Sequence, residues 1–122
     1  MNKILQLCLL SASLLSTVNT WAGKDDHVVI AEAAHNIVSV AEAKKLPDAT
    51  AVTLTGTVLK HLNQEHYEFS DATGLILLDI DDDLWKPAGL KLGDRVSVVG
   101  EVDTHRYKPT DIEVVKIEKI IQ

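Results

Sequence analysis

From Thr50 onward the chain keeps a period of two. Val52, Leu54 and Val58 fall on one side of an extended backbone, and Thr53, Thr55 and Thr57 on the other. That alternation is the pattern of a strand with one buried face, and its β-branched residues suit a pleated, half-buried surface. The rhythm recurs four times. Tyr67 and Phe69 share a face within residues 66–70, and residues 75–80 form an apolar run interrupted only by Asp79. Val96, Val98 and Val102 point one way in residues 95–102, and Ile112, Val114, Val115 and Ile117 carry residues 111–120. Turn chemistry separates the runs: Asn63-Gln64-Glu65, then Asp71-Ala72-Thr73-Gly74, then a longer stretch with Pro87 and Gly89, then a polar loop over 104–110. Gly56 and Gly100 interrupt their strands and predict sharp bends or bulges. Five short strands, two of them kinked, close into a small barrel and so remove the edges that invite aggregation.

One helix is signalled ahead of the strands. Ser39-Val40-Ala41-Glu42 reads as a capping box, in which the Ser39 hydroxyl accepts from the Glu42 amide and the Glu42 carboxylate reaches back. The helix should run from Val40 to Leu46 and stop at Pro47. An OB barrel usually places its helix between strands three and four. Here that connection is punctuated by Pro87, Gly89 and Gly93, so the capped helix is the better plug for the open end. The expected class is all-β: a five-stranded OB-fold barrel over residues 38–122 with a short N-terminal helix. Residues 23–37 show no extended apolar stripe and read as a loosely held, flexible arm.

The N-terminus reads as an address. Lys3 precedes an apolar run of 12 residues from Ile4 to Leu15, broken by Gln6, Ser11 and Ser13. Thr20 and Ala22 stand at the −3 and −1 positions of a cut after Ala22. That order is a secretory signal peptide over residues 1–22. The run falls well short of the ~20 residues needed to span a bilayer, so no stable membrane anchor is expected after cleavage. Cys8, the only cysteine, sits in mid-run after Leu7, where a lipoprotein signal needs a small residue. The expected location is the periplasm.

Cleavage removes Lys3 and Cys8, leaving 122 − 22 = 100 residues and a net charge of 11 − 18 = −7. A chain this acidic is a poor partner for a polyanion, because nucleic-acid binding depends on clustered cations that displace counterions. Without a thiol it forms neither a disulfide nor a cysteine zinc site. No G-x-S-x-G motif occurs and no serine has an obvious neighbouring histidine. Those features argue against an enzyme and call for no cofactor.

The chain resembles the bacterial OB-fold (BOF) family of secreted stress-tolerance proteins, the YgiW/YdeI type. The resemblance rests on AKKLPD (Ala43–Asp48), VTLTG (Val52–Gly56), FSDATG (Phe69–Gly74), DIDDDLW (Asp79–Trp85), VVGEVD (Val98–Asp103) and DIEV (Asp111–Val114). It implies a periplasmic five-stranded barrel with no assigned catalysis, a role in tolerance of envelope stress, and a small molecule, cell-wall fragment or envelope protein as partner. The loop His105-Arg106-Tyr107-Lys108-Pro109-Thr110 is longer and more basic than the family pattern.

Two groups of side chains are candidates for contact with a ligand. In an OB barrel the binding face is built from strands two and three with the loops joining strands one–two and four–five. That face gathers His61, Gln64, His66, Tyr67, His105, Arg106, Tyr107 and Lys108. Arg106 can fork onto a carboxylate or phosphate, and Tyr67 and Tyr107 can stack on a ring. The bland alternative is that these are solvated loop residues and that Tyr67 is partly core. The second group is Asp79, Asp81, Asp82 and Asp83, a patch for a hard cation or a cationic peptide, or simply a solvated turn. No H-E-x-x-H occurs, and His61 and His66 are placed by a turn rather than by helical spacing, so no metal site is called. Two roles remain open: a binding module, or an adaptor that modulates a membrane-bound envelope enzyme or sensor.

Overall fold

The structure is a computed structural model that describes residues 25–121. The expected leader and its cut after Ala22 lie outside the described residues. Five strands close a barrel in the order β1-β2-β3-β5-β4. They are β1 (Ala51–Asn63), β2 (His66–Asp71), β3 (Gly74–Asp79), β4 (Arg95–Asp103) and β5 (Asp111–Lys119). The long β1 serves two neighbours: its first half pairs antiparallel with β4 and its second half with β2. β3 and β5 close the cylinder in parallel, through Leu77↔Asp111, Leu78↔Ile112 and Asp79↔Glu113.

The inward faces follow the period of two. Val52, Leu54, Val58, Phe69, Leu78, Val96, Val98 and Ile112 are fully buried in one core. Val115 is outside this core, partly buried and packed against a second, smaller cluster. Gly100 marks the bulge its sequence position predicts, since the β4–β5 register shifts between Val99 and Gly100. Gly56 does not. The register shifts in β1 come later, between Val58 and Lys60 and between His61 and Asn63. Gly56 is required instead by close approach, because a Cβ there would meet the Ser70 carbonyl and the Phe69 ring.

Two short helices cover the barrel and a third lies on its outer wall. The capping box at Ser39 is present, and its helix is a single turn, α2 (Val40–Ala43), with Val40 and Ala43 buried in the core. Asp71 pins this plug: its carboxylate accepts from the Val40 amide at 2.9 Å, while Thr73 Oγ1 accepts from the Ala41 amide at 2.9 Å. α3 (Asp82–Trp85) is one turn between β3 and β4, with Leu84 and Trp85 packed against the core.

The arm expected over residues 23–37 is corrected from Asp25 onward. Residues Asp26–Ala33 form α1, capped by the Asp25 carboxylate, which accepts from the Val28 amide at 3.1 Å. Only Val29 and Ala33, one turn apart, are buried, against Ala51, Val99 and Val115. So narrow a face leaves no long stripe in the sequence. Polar bonds do the rest: Asn36 Nδ2 donates to the Ala51 carbonyl at 2.8 Å, Thr53 Oγ1 donates to the Ala33 carbonyl at 2.8 Å, and Ile37 bridges Thr53 in parallel.

Candidate functional site

The first candidate group falls into two sets of local contacts. At the β1–β2 end, Tyr67 is 2% exposed and lies between two rings. His61 stacks on one side at 4.3 Å with a 9° tilt, and Trp85 on the other at 4.5 Å and 26°. Both faces of Tyr67 are therefore covered, which corrects its reading as a stacking platform for a ligand. Burial, then the charges of Asp82 and Glu65, push its hydroxyl above the usual range. The other polar groups here hold the hairpin: His61 Nε2 meets the Gln64 carbonyl at 2.5 Å and His66 Nδ1 meets Asn63 Oδ1 at 3.2 Å. His61 and His66 thus engage separate partners. Gln64 turns the chain with a positive φ of 41°.

The β4–β5 loop makes contacts of its own. Arg106, Tyr107 and Lys108 are exposed, Tyr107 by 91%. His105 turns away from them toward the strand ends. Its Nε2 is 3.3 Å from Asp111 Oδ2 and 3.6 Å from Asp103 Oδ2, and it makes a hydrogen bond with neither. One ligand atom from each of Asp103, His105 and Asp111 lies within 4.8 Å of the other two. Asp111 is 4% exposed, and burial raises its carboxyl above the usual range against the opposing pull of His105.

The acidic group is joined by carboxylates that the sequence reading did not single out. A cleft of about 480 Å³ is lined by Asp79, Asp81 and Asp83 after β3, with Glu65 from the β1–β2 turn. Glu101 of β4, Glu113 of β5 and Asp26 of α1 complete a set of seven carboxylates, with Leu84, Val114 and Val115 as the apolar remainder. Among the described residues, no lysine, arginine or histidine lines it. Asp82 is not part of it, and its carboxylate faces Lys86 at 3.9 Å. Asp81 also caps α3, accepting from the Asp83 amide at 2.9 Å.

Register explains the crowding. Glu113 sits opposite Asp79 on one side and Glu101 on the other, and Asp111 sits opposite Asp103 one rung along. Glu113 is open to solvent on one side. Even so, partial burial, the charge of Asp79, a hydrogen bond with Asp79, and the charges of Asp103 and Asp111 push its carboxyl up to about 7. Such a cleft is electrostatically incomplete, because like charges at this spacing disfavour one another's ionised form. The signal in the sequence was Glu101-Val102-Asp103 and Asp111-Ile112-Glu113: acids alternating with buried residues on two strands, hence sharing the outer face.

Comparison with known proteins gives a consistent picture. The family model described as "Bacterial OB fold (BOF) protein" matches residues 20–119. The calcium-regulated OB-fold protein CarO of Pseudomonas aeruginosa is 34% identical over 119 residues, 96% of this chain and 99% of that protein. Protein YgiW of Escherichia coli K12 is 35% identical over 85 residues, 70% of this chain and 65% of its own length. The solved structure of ygiW from E. coli superposes with a TM-score of 0.63 at 36% identity, covering 70% of this chain and 90% of that one.

Proposed function

The chain belongs to the bacterial OB-fold (BOF) family, and from that premise we propose that it is a periplasmic, non-enzymatic binding protein of envelope stress tolerance, with an amine-bearing ligand such as a cationic peptide in its acidic cleft. The observation that carries this reading is the lining itself: Asp26, Glu65, Asp79, Asp81, Asp83 and Glu113 border about 480 Å³ with no basic side chain among the described residues. That volume lies within the ~300–1,000 Å³ range of small-ligand sites and exceeds what one bare ion needs. Ammonium groups would balance those carboxylates, and lysine stems would lie on Leu84, Val114 and Val115.

The test is titration of the purified protein with oligolysine, against a neutral peptide of equal length, at rising salt. Saturable binding that weakens with salt and drops at least tenfold in Asp81→Asn/Asp83→Asn supports the reading. Equal binding of both peptides, or none, removes it. A calcium ion is the second reading, favoured by the all-oxygen lining and by a relative whose name describes it as calcium-regulated. Calcium binding at micromolar to millimolar levels with oligolysine inert would select it.

A further inference from the structure

The β4–β5 loop carries a second chemistry that does not depend on the cleft. Asp103 ends β4 and Asp111 begins β5, directly opposite one another in the ladder, and His105 folds back between them from two residues along. Three features stand out. The Nε2 of His105 faces both carboxylates at 3.3 and 3.6 Å without the alignment of a hydrogen bond to either. The Asp111 side chain is only 6% exposed. Its Oδ1 is buried and has no hydrogen-bond partner. A buried carboxylate oxygen left unpaired is costly, so this arrangement asks for a further electropositive group.

We propose that Asp103, His105 and Asp111 form a binding site for a first-row divalent transition ion, with zinc the best fit. Zinc bonds of about 2.0–2.1 Å at tetrahedral angles place their ligand atoms about 3.3 Å apart, close to the two separations found here. One imidazole nitrogen and two carboxylate oxygens supply three protein ligands, which leaves the fourth position to water. Calcium fits less well, because it takes six to eight oxygens and His105 offers nitrogen. The surroundings favour a dication, since Asp79 and Glu113 add negative charge beside the two aspartates. An ion here would tie the root of the loop to both strands, and with it the exposed Arg106, Tyr107 and Lys108. The consequence is a loop whose order depends on metal.

The experiment is a zinc titration of the purified protein, with a chromophoric chelator as competitor and a thermal melt at each step. The expected result is one ion per chain, a melting temperature that climbs with free zinc, and a perturbed His105 ring nitrogen by NMR. His105→Ala should weaken binding at least tenfold and abolish the thermal gain. His105 lies in a partly exposed loop, so its loss spares the core. The NMR reading of the unaltered protein needs no variant. Asp81→Asn/Asp83→Asn should keep the zinc site, and His105→Ala should keep any oligolysine binding, which separates this site from the cleft. Absence of stoichiometric binding at micromolar zinc, an unshifted His105 ring, or binding indifferent to His105→Ala overturns the proposal.

Discussion

Asp79 and Glu113 face one another across the only parallel strand pair among the described residues. After partial burial, the nearness of the Asp79 carboxylate is the largest cause that pushes the Glu113 carboxyl up to about 7. The pairing follows from topology: parallel closure of β3 on β5 sets the end of one strand beside the third residue of the other. A ladder built this way stores repulsion on the barrel's outer wall, while Ile112 and Val114 between the acids bury inward.

Removing one charge from this ladder should stabilise the fold. Glu113→Gln keeps shape and hydrogen-bonding capacity while relieving the crowding by Asp79, Asp103 and Asp111. Because Glu113 is solvent-exposed on one side, the gain is discounted to roughly 0.5–1 kcal/mol, a rise of a few degrees in Tm. The same variant should bind oligolysine more weakly. Stability gained where binding is lost is the signature of a functional site, and a calorimetric melt beside a binding isotherm checks both halves. A fall in Tm would show that Glu113 holds structure instead.

The Asp71 carboxylate gives the plug helix a pH limit. Burial pushes Asp71 upward, but bonds from the Thr73 hydroxyl and from the amides of Val40, Thr73 and Gly74 outweigh it and hold the carboxyl below its ordinary value of 3.8. A folded pKa below the unfolded one means stability that is fully present above about pH 4 and lost as pH falls through the lowered value. Thermal melts of the unaltered protein should therefore weaken as pH drops below about 4. Asp71→Ala should cost about 1–2 kcal/mol at pH 7 and should flatten that acid-side loss.

Most of the barrel was legible because period-two burial is written residue by residue: Val52, Leu54, Phe69, Val98 and Ile112 could face only one way. The family segments were legible for the same reason, since turns such as Asp71–Gly74 carry fixed chemistry. The site was not. Tyr67 looked free to stack because nothing in its neighbourhood of sequence announces His61 and Trp85 on its two faces. Glu101, Asp103, Asp111 and Glu113 did not stand out, because which strands neighbour one another is set by closure, not by local pattern. α1 was hidden because two buried residues, Val29 and Ala33, suffice when polar bonds anchor the rest of the segment.

Val29 offers a direct check on that helix. It is fully buried between α1 and the barrel wall. Val29→Ala removes two methyl groups, each worth about 0.8 kcal/mol of transfer, so a loss of roughly 1–2 kcal/mol is expected. The neighbouring Val28→Ala, at a site 42% exposed, should change stability by about 0.5 kcal/mol or less. Denaturant melts of the two variants compare them directly. Equal, negligible losses would mean that α1 does not stay docked in solution.

The two kinds of glycine in this chain should also part company on substitution. Gly56 is not in a left-handed conformation, but an added Cβ meets the Ser70 carbonyl and the Phe69 ring. Backbone cannot yield as a flexible side chain can, and Phe69 is itself fully buried. Gly56→Ala should therefore cost about 1–3 kcal/mol or more by overpacking, with the β1–β2 register disturbed. Gly89 has nothing within 4 Å of its would-be Cβ but a φ of +66°. Gly89→Ala pays only for that left-handed backbone, about 1–2 kcal/mol, and leaves the core untouched. Hydrogen exchange distinguishes the two mechanisms: Gly56→Ala should expose β1 and β2 amides, whereas Gly89→Ala should loosen only the β3–β4 connection. Unchanged β1 and β2 protection in Gly56→Ala would place Gly56 in a looser contact with Phe69 than the barrel geometry requires.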